Sequence, residues 1–196
     1  MNGMKKKEKR GRSRETTFGE WLILASFAGV KLEKYDTRPA YVGDTATPAT
    51  LDELTIGQLI ELGALDDKNA SLYEICKIVL GVPYSKTKQA RAIDVVHFCG
   101  WVWNEVEKIN KLFESTRVAP TQKEVAAGIK ELRFGLFGLV DWYARRMGIQ
   151  DHDAVLQTPW MRIYKCLDMD NKTKQFEKRY MENETNEYRR KIKGNR

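Results

Sequence analysis

Two short constellations in this 196-residue chain carry side chains of a kind and spacing that do chemistry. His97 follows Asp94 by three residues, about one helical turn, which lets a carboxylate orient an imidazole as a general base. No nucleophile accompanies the pair, and its neighbours Val95, Val96 and Phe98 are apolar, so a satisfied core or subunit-interface histidine is the better reading. Asp151, His152 and Asp153 present alternate side chains to a metal. They also stand just ahead of an apolar run, where an aspartate caps a helix, and capping is the preferred account. Cys76, Cys99 and Cys166 are odd in number, widely spaced and set in apolar-periodic segments. They read as buried free thiols in a reducing compartment, without a disulfide framework or a metal pair. The chain contains no P-loop, dinucleotide fingerprint, nucleophile elbow, paired CxxC or HExxH. A non-enzymatic protein is expected, with no catalytic, cofactor-binding or metal residues and no cofactor.

The elements that must position these side chains are helical. Thr121 to Gly148 is the most strongly specified stretch and is predicted as one long central helix. Thr121 and Glu124 have capping-box spacing, and Pro120 marks where the helix begins. Val125, Ile129, Leu132, Leu136, Val140, Tyr143 and Met147 form a continuous stripe that should be buried. Arg145 and Arg146 suit the negative end of the dipole, and Gly148 suits the close. Gly128, Gly135 and Gly138 each cost roughly 1 kcal/mol relative to alanine inside a helix. They fall within about 80° of one another, so the preferred reading is a groove for close approach of another backbone. The alternative is a weakened helix or a break near Gly135. A second long helix begins at Ser85 or Thr87 and runs to about Ser115, with Val95, Phe98, Cys99, Val102, Val106, Ile109 and Phe113 as its apolar face. The two are expected to pack side by side and antiparallel.

Shorter helices surround this pair. Thr17 with Glu20 opens one through Trp21, Leu22 and Phe27, apolar nearly all round and so a candidate interface with its own body or with a neighbouring subunit. Thr50 with Glu53, then Thr55 with Gln58, give two overlapping starts for another, and Ser71 to Leu80 forms a third, stopped by Gly81 and Pro83. Residues 31–49 lack any sustained period and read as a long extended loop with scattered strand potential, pinned by Tyr35 and Tyr41. A last helix starts near Trp160 after Thr158 and Pro159. It becomes largely polar beyond Leu167, with isolated Phe176 and Tyr180 left to meet a partner. The expectation is an all-α irregular bundle around two long antiparallel helices. Its parts are a flexible basic arm at 1–15, a helical domain at 16–168, and a projecting charged C-terminal helix at 169–196.

The net charge of +7 belongs to the two ends. Residues 1–14 hold Lys5, Lys6, Lys7, Lys9, Arg10, Arg12 and Arg14 against Glu8, a net +6, and residues 185–196 hold five cations against Glu187, a net +4. The remaining body carries −3. Such tails, with Arg189, Arg190 and Lys191 in the second, suit phosphate backbones or acidic protein surfaces without reading sequence. A helix-turn-helix is conceivable over Ser71 to Gly81, Pro83, Lys86, Lys88 and Arg91, but the second helix is longer than a recognition helix. No run approaches the roughly 20 apolar residues that span a bilayer. Glu15, Thr16, Thr17 and Glu20 break the approach to a signal-like segment at WLILASFAGV, so secretion is not expected.

Leu51 to Leu65, LDELTIGQLIELGAL, resembles the L-T-x-G-Q-x-I-x-L opening of small helical proteins from the structural and tail-assembly gene clusters of tailed bacteriophages. There, as here at Leu72 to Leu80, a short apolar helix follows. Thr121 to Leu167 is similar to proteins of gut Bacteroidetes phages, crAss-like ones included. The resemblance implies a virion structural protein made in the bacterial host cytoplasm, such as a head-to-tail connector, a portal-associated ring subunit or a packaged protein. It would contact copies of itself, other virion proteins and, through its basic arms, DNA, with no membrane partner. A tail-assembly chaperone absent from the mature particle, or a nucleic-acid-binding accessory protein, are the alternatives.

Overall fold

The computed structural model describes residues 15–28, 34–65, 71–132 and 134–194. Among these the chain is all-α, with nine α-helices, one 3-10 turn and a single two-stranded hairpin. The first helix, α1 (Phe18–Ala28), starts at a formed capping box: Thr17 N–H donates to Glu20 at 3.0 Å, and Glu20 N–H donates to the Thr17 hydroxyl at 3.3 Å. The hairpin strands β1 (Tyr41–Val42) and β2 (Thr45–Ala46) lie in the expected loop. Thr55 and Gln58 close a reciprocal box on α2 (Ile56–Ala64), followed by α3 (Ser71–Leu80) and the single turn α4 (Tyr84–Thr87). Among the described residues, the one long helix before the last is α5 (Ala92–Ser115).

The core forms where α5 crosses α1, α2 and α3. Phe18, Leu62, Leu72, Ile75, Val95, Phe98 and Val102 are fully enclosed there, joined by Tyr143, Val155, Trp160 and Ile163 from the C-terminal half. Truncating any of the large aromatics to alanine would cost about 3–5 kcal/mol. Backbone bonds tie the ends of elements together. Phe18 N–H donates to Ala90 at 2.8 Å, Gly19 N–H to Lys88 at 2.9 Å, and Ala92 N–H to Thr16 at 3.0 Å, so the start of α1 is stitched to the α4–α5 link.

The predicted central helix is not continuous. Thr121 and Glu124 do form their box, but the helix they open, α6 (Gln122–Ala126), lasts five residues. The chain then turns through Gly128 at φ 84°, makes the 3-10 turn Ile129–Glu131, and restarts as α7 (Gly135–Met147) with Gly135 at φ 56°. The alternative of a break near Gly135 is the one realised. The expected antiparallel pair of long helices therefore lacks its second member. α5 packs mainly on α3 and α1, while α7 packs on α8 (His152–Leu156). The close of α7 matches expectation, with Gly148 left-handed at φ 67° and Ile149 N–H returning to Ala144 at 2.9 Å.

The last helix, α9 (Trp160–Gly194), is 35 residues long. Its start is locked to the start of α2: Ile56 N–H donates to Thr158, and Trp160 N–H to Leu54, at 2.8 and 3.0 Å. The Trp160 indole donates to Leu51 at 2.8 Å. Further along, Asn171 donates to Thr116 at 3.3 Å and Lys178 to the carbonyl of Ala119 at 3.0 Å. Among the described residues, no helix is long and apolar enough to cross a membrane.

Candidate interaction surfaces

The residues first considered for chemistry take structural roles. His97 stacks on Tyr35, ring centroids 4.2 Å apart, while Asp94 faces Arg91 at 3.7 Å. Around them Asn104 donates to Asp36 at 2.9 Å, and Lys34 pairs with Glu107. His97 is thus part of the clamp that lays the 34–36 segment along α5. Asp151 caps α8 by accepting from Asp153 N–H at 2.9 Å, the capping account of that triplet. His152 meets Phe137 edge-on at 5.2 Å and lies 3.8 Å from Asp141. Among the described residues no group of three or more His, Cys, Asp or Glu could hold a metal ion.

Cys76 on α3 and Cys99 on α5 are buried, their sulfurs 4.0 Å apart, and Cys99 donates to the Leu72 carbonyl at 3.3 Å. Burial, with Cys76 alongside, pushes the Cys99 thiol well above its ordinary value, so it stays protonated and unreactive. Cys166 on α9 is half-buried. Sequence spacing could not have paired Cys76 with Cys99, because the approach depends on how α3 crosses α5.

The helix-turn-helix candidate is not built. Lys86 sits on the one-turn α4, Lys88 just after it, and Arg91 pairs with Glu15 at 2.9 Å ahead of α5. Lys5, Lys6, Lys7, Lys9, Arg10, Arg12 and Arg14 lie outside the described residues. Arg189, Arg190 and Lys191 are exposed near the end of α9. Arg189 also lines a groove of about 700 Å³ with Lys123, Lys178 and Glu182, between the start of α6 and α9. Lys123 and Lys178 were not singled out from sequence, since only the return of α9 past Thr121 places them beside Arg189.

The interface candidates separate into those that face inward and those left open. On α1, Trp21 and Leu22 pack against the core, and Trp21 stacks on Phe18 at 5.7 Å. Ile23 and Leu24 on the same helix are each 64% exposed. Phe27 lies on α1, and its side chain falls outside the described atoms. Gly128, Gly135 and Gly138 do not form one groove on a continuous helix: Gly128 precedes the 3-10 turn, while Gly135 and Gly138 lie in the first turn of α7. A Cβ on Gly138 would come within 2.7 Å of Phe134 Cβ, so this glycine admits the turn into α7. Of the stripe expected to be buried, only Val140 and Tyr143 are buried. Leu132, Phe134, Leu136 and Phe137 are 55–67% exposed, and Val125, Ile129 and Met147 are also open to solvent. Phe134 and Phe137 went unassigned in sequence, because a continuous 3.6-residue period placed them on the flank of a buried stripe. Phe176 and Tyr180 lie on the outer side of α9, 61% and 53% exposed with rings 6.3 Å apart.

Two stretches therefore carry several exposed large apolar side chains: Val125, Ile129, Leu132, Phe134, Leu136 and Phe137, and, on the outer side of α9, Met169, Phe176 and Tyr180. Compared with known proteins, the chain matches no family model, and no curated protein or solved structure matches it.

Proposed function

We propose that the chain is a non-enzymatic virion structural protein of a tailed bacteriophage, a head-to-tail connector or portal-associated ring subunit or a packaged protein, that works by protein–protein contact. The observation that carries the contact role is the run of open apolar residues at Leu132, Phe134, Leu136 and Phe137. Exposed large apolar side chains in a contiguous patch mark interaction surfaces, because leaving them in water forfeits their burial. The virion setting rests on the resemblance of Leu51 to Leu65 to phage structural and tail-assembly proteins.

The reading is tested on purified particles and on the free chain together. Mass spectrometry of particles should find the chain at a fixed copy number. Phe134→Ser with Phe137→Ser should leave the helical circular-dichroism signal intact and exclude the chain from particles. A chain absent from particles overturns the virion role, and one found instead on unassembled tail protein points to an assembly chaperone.

A further inference from the structure

The outer side of α9 carries a charge pattern that identifies its partner. The inner side is set by Trp160 and Ile163, both buried, and by Asn171 and Lys178, which bond to Thr116 and Ala119. At 3.6 residues per turn, Met169, Phe176 and Tyr180 stand about 180° away from that side. They are 53–61% exposed.

Read in sevens, one seam column is Cys166, Thr173 and Tyr180, and the other is Met169, Phe176 and Asn183. On one flank the seven-residue interval runs Lys165, Lys172, Arg179, all cations. On the other it runs Asp170, Glu177, Glu184, all acids. These are the a, d, g and e positions of a heptad, and in a parallel pair of helices each g residue faces the e residue five places on in its partner. Lys165 then meets Asp170, Lys172 meets Glu177, and Arg179 meets Glu184 of the partner subunit, opposite charges in every case. An antiparallel pair would set g against g and e against e, cations on cations and acids on acids. A partner of one charge would suit one flank and repel the other.

We propose that α9 is a parallel homodimerisation helix, pairing with a second copy of this chain through the face from Met169 to Asn183. This deepens the assembly reading above by naming the occupant of one exposed face. It does not depend on the virion setting.

Several intrachain contacts define where the seam is effective. Arg146 holds Asp170 through bonds of 3.0 to 3.2 Å, and Asp52 and Glu53 line a groove of about 390 Å³ with Lys165, Cys166 and Met169. Asp170 of the first flank pair is therefore already engaged by the body. Lys172–Glu177 and Arg179–Glu184 decide the orientation, the first in exchange for a Lys172–Asp168 contact at 2.7 Å and the second for the Tyr180 bond to Glu184 at 3.2 Å. Both contacts given up are exposed, where ion pairs are weak. The seam ends at Asn183, because Glu187 and Arg190 take the next two positions. Thr173 and Asn183 lower its stability and hold its register. So short a seam predicts a dimer that dissociates on dilution.

Sedimentation equilibrium of the full chain over a wide concentration range tests this. A monomer–dimer equilibrium is expected, and the chain remaining monomeric at every concentration overturns the proposal. Phe176→Glu should raise the dissociation constant by at least about tenfold, with helix content unchanged. Lys172→Glu with Arg179→Glu, and separately Glu177→Lys with Glu184→Lys, should each abolish self-association, while the two variants mixed should associate with each other. That rescue shows that a loss is not caused by misfolding. In a Cys166→Ala background, Asn183→Cys should crosslink to its symmetry mate through a short bismaleimide, because only a parallel in-register pair brings the two together. A dimer that ignores these changes but dissociates with Phe134→Ser and Phe137→Ser overturns the α9 assignment and leaves the assembly reading standing.

Discussion

Trp160 donates its indole N–H to Leu51, 109 positions away, at 2.8 Å and out of water. Trp160→Phe keeps most of the ring and removes the donor, leaving a carbonyl that lost water on folding without that partner. The expected cost is about 1–3 kcal/mol in urea unfolding, and an unchanged midpoint would show the bond to be dispensable. The cysteines give a second test at this scale. With Cys99 pushed up by burial and Cys76 beside it, a thiol reagent near neutral pH should titrate Cys166 first in the native chain. Cys76 and Cys99 should react only on unfolding. Glu124 supplies the pH dependence. Its carboxylate accepts from Thr121 N–H at 2.6 Å, and this bond, with that from the Thr121 hydroxyl, holds it below the usual carboxylate range. A depressed folded value means the cap's contribution is present above the ordinary carboxylate pKa and is lost as pH falls through the lower one. Carboxyl NMR should show that low midpoint, with α6 amide protection disappearing alongside it.

At the scale of elements, the break at Gly135 makes a prediction whose sign is informative. In a continuous helix, Gly135→Ala would stabilise by roughly 1 kcal/mol. With Gly135 at φ 56°, the alanine must adopt the left-handed region, and the substitution should instead cost about 1–2 kcal/mol. Thermal or urea unfolding separates the two. Gly57 has a different reason to be glycine: α2 and α8 approach so closely that a Cβ there would lie 2.9 Å from the Leu156 carbonyl oxygen. Because the obstacle is backbone, Gly57→Ala should force the two helices apart and cost about 1–3 kcal/mol. Gly63 on the same α2 has nothing within 4 Å of its would-be Cβ, so Gly63→Ala is the control and should not destabilise.

For the whole molecule, the charge separation matters more than its sum. Residues 1–14 carry +6 while residues 15–184 carry −3. Retention on a polyanion such as heparin should therefore belong to the ends, and deleting residues 1–14 should lower the eluting salt concentration well below that of the full chain. Equal elution would assign the contact to the C-terminal basic segment or to the groove that Lys123, Lys178 and Arg189 line.

Local signals determined much of this protein. The capping boxes at Thr17, Thr55 and Thr121, the stop at Gly148 and the cap at Asp151 all form as their spacing predicts, because each is settled within four or five residues by backbone donors and acceptors that need partners. The all-α class follows for the same reason. Tertiary structure decided which periodic faces became core. The stripe from Val125 to Met147 has the right period throughout, yet only Val140 and Tyr143 are buried, on the helix that packs on α8, and the rest stays open to water. Periodicity reports that a face is apolar, but what covers it depends on long-range packing. The same holds for Cys76 beside Cys99, Tyr35 on His97 and Gly57 against Leu156. Each depends on a crossing between segments far apart in the chain.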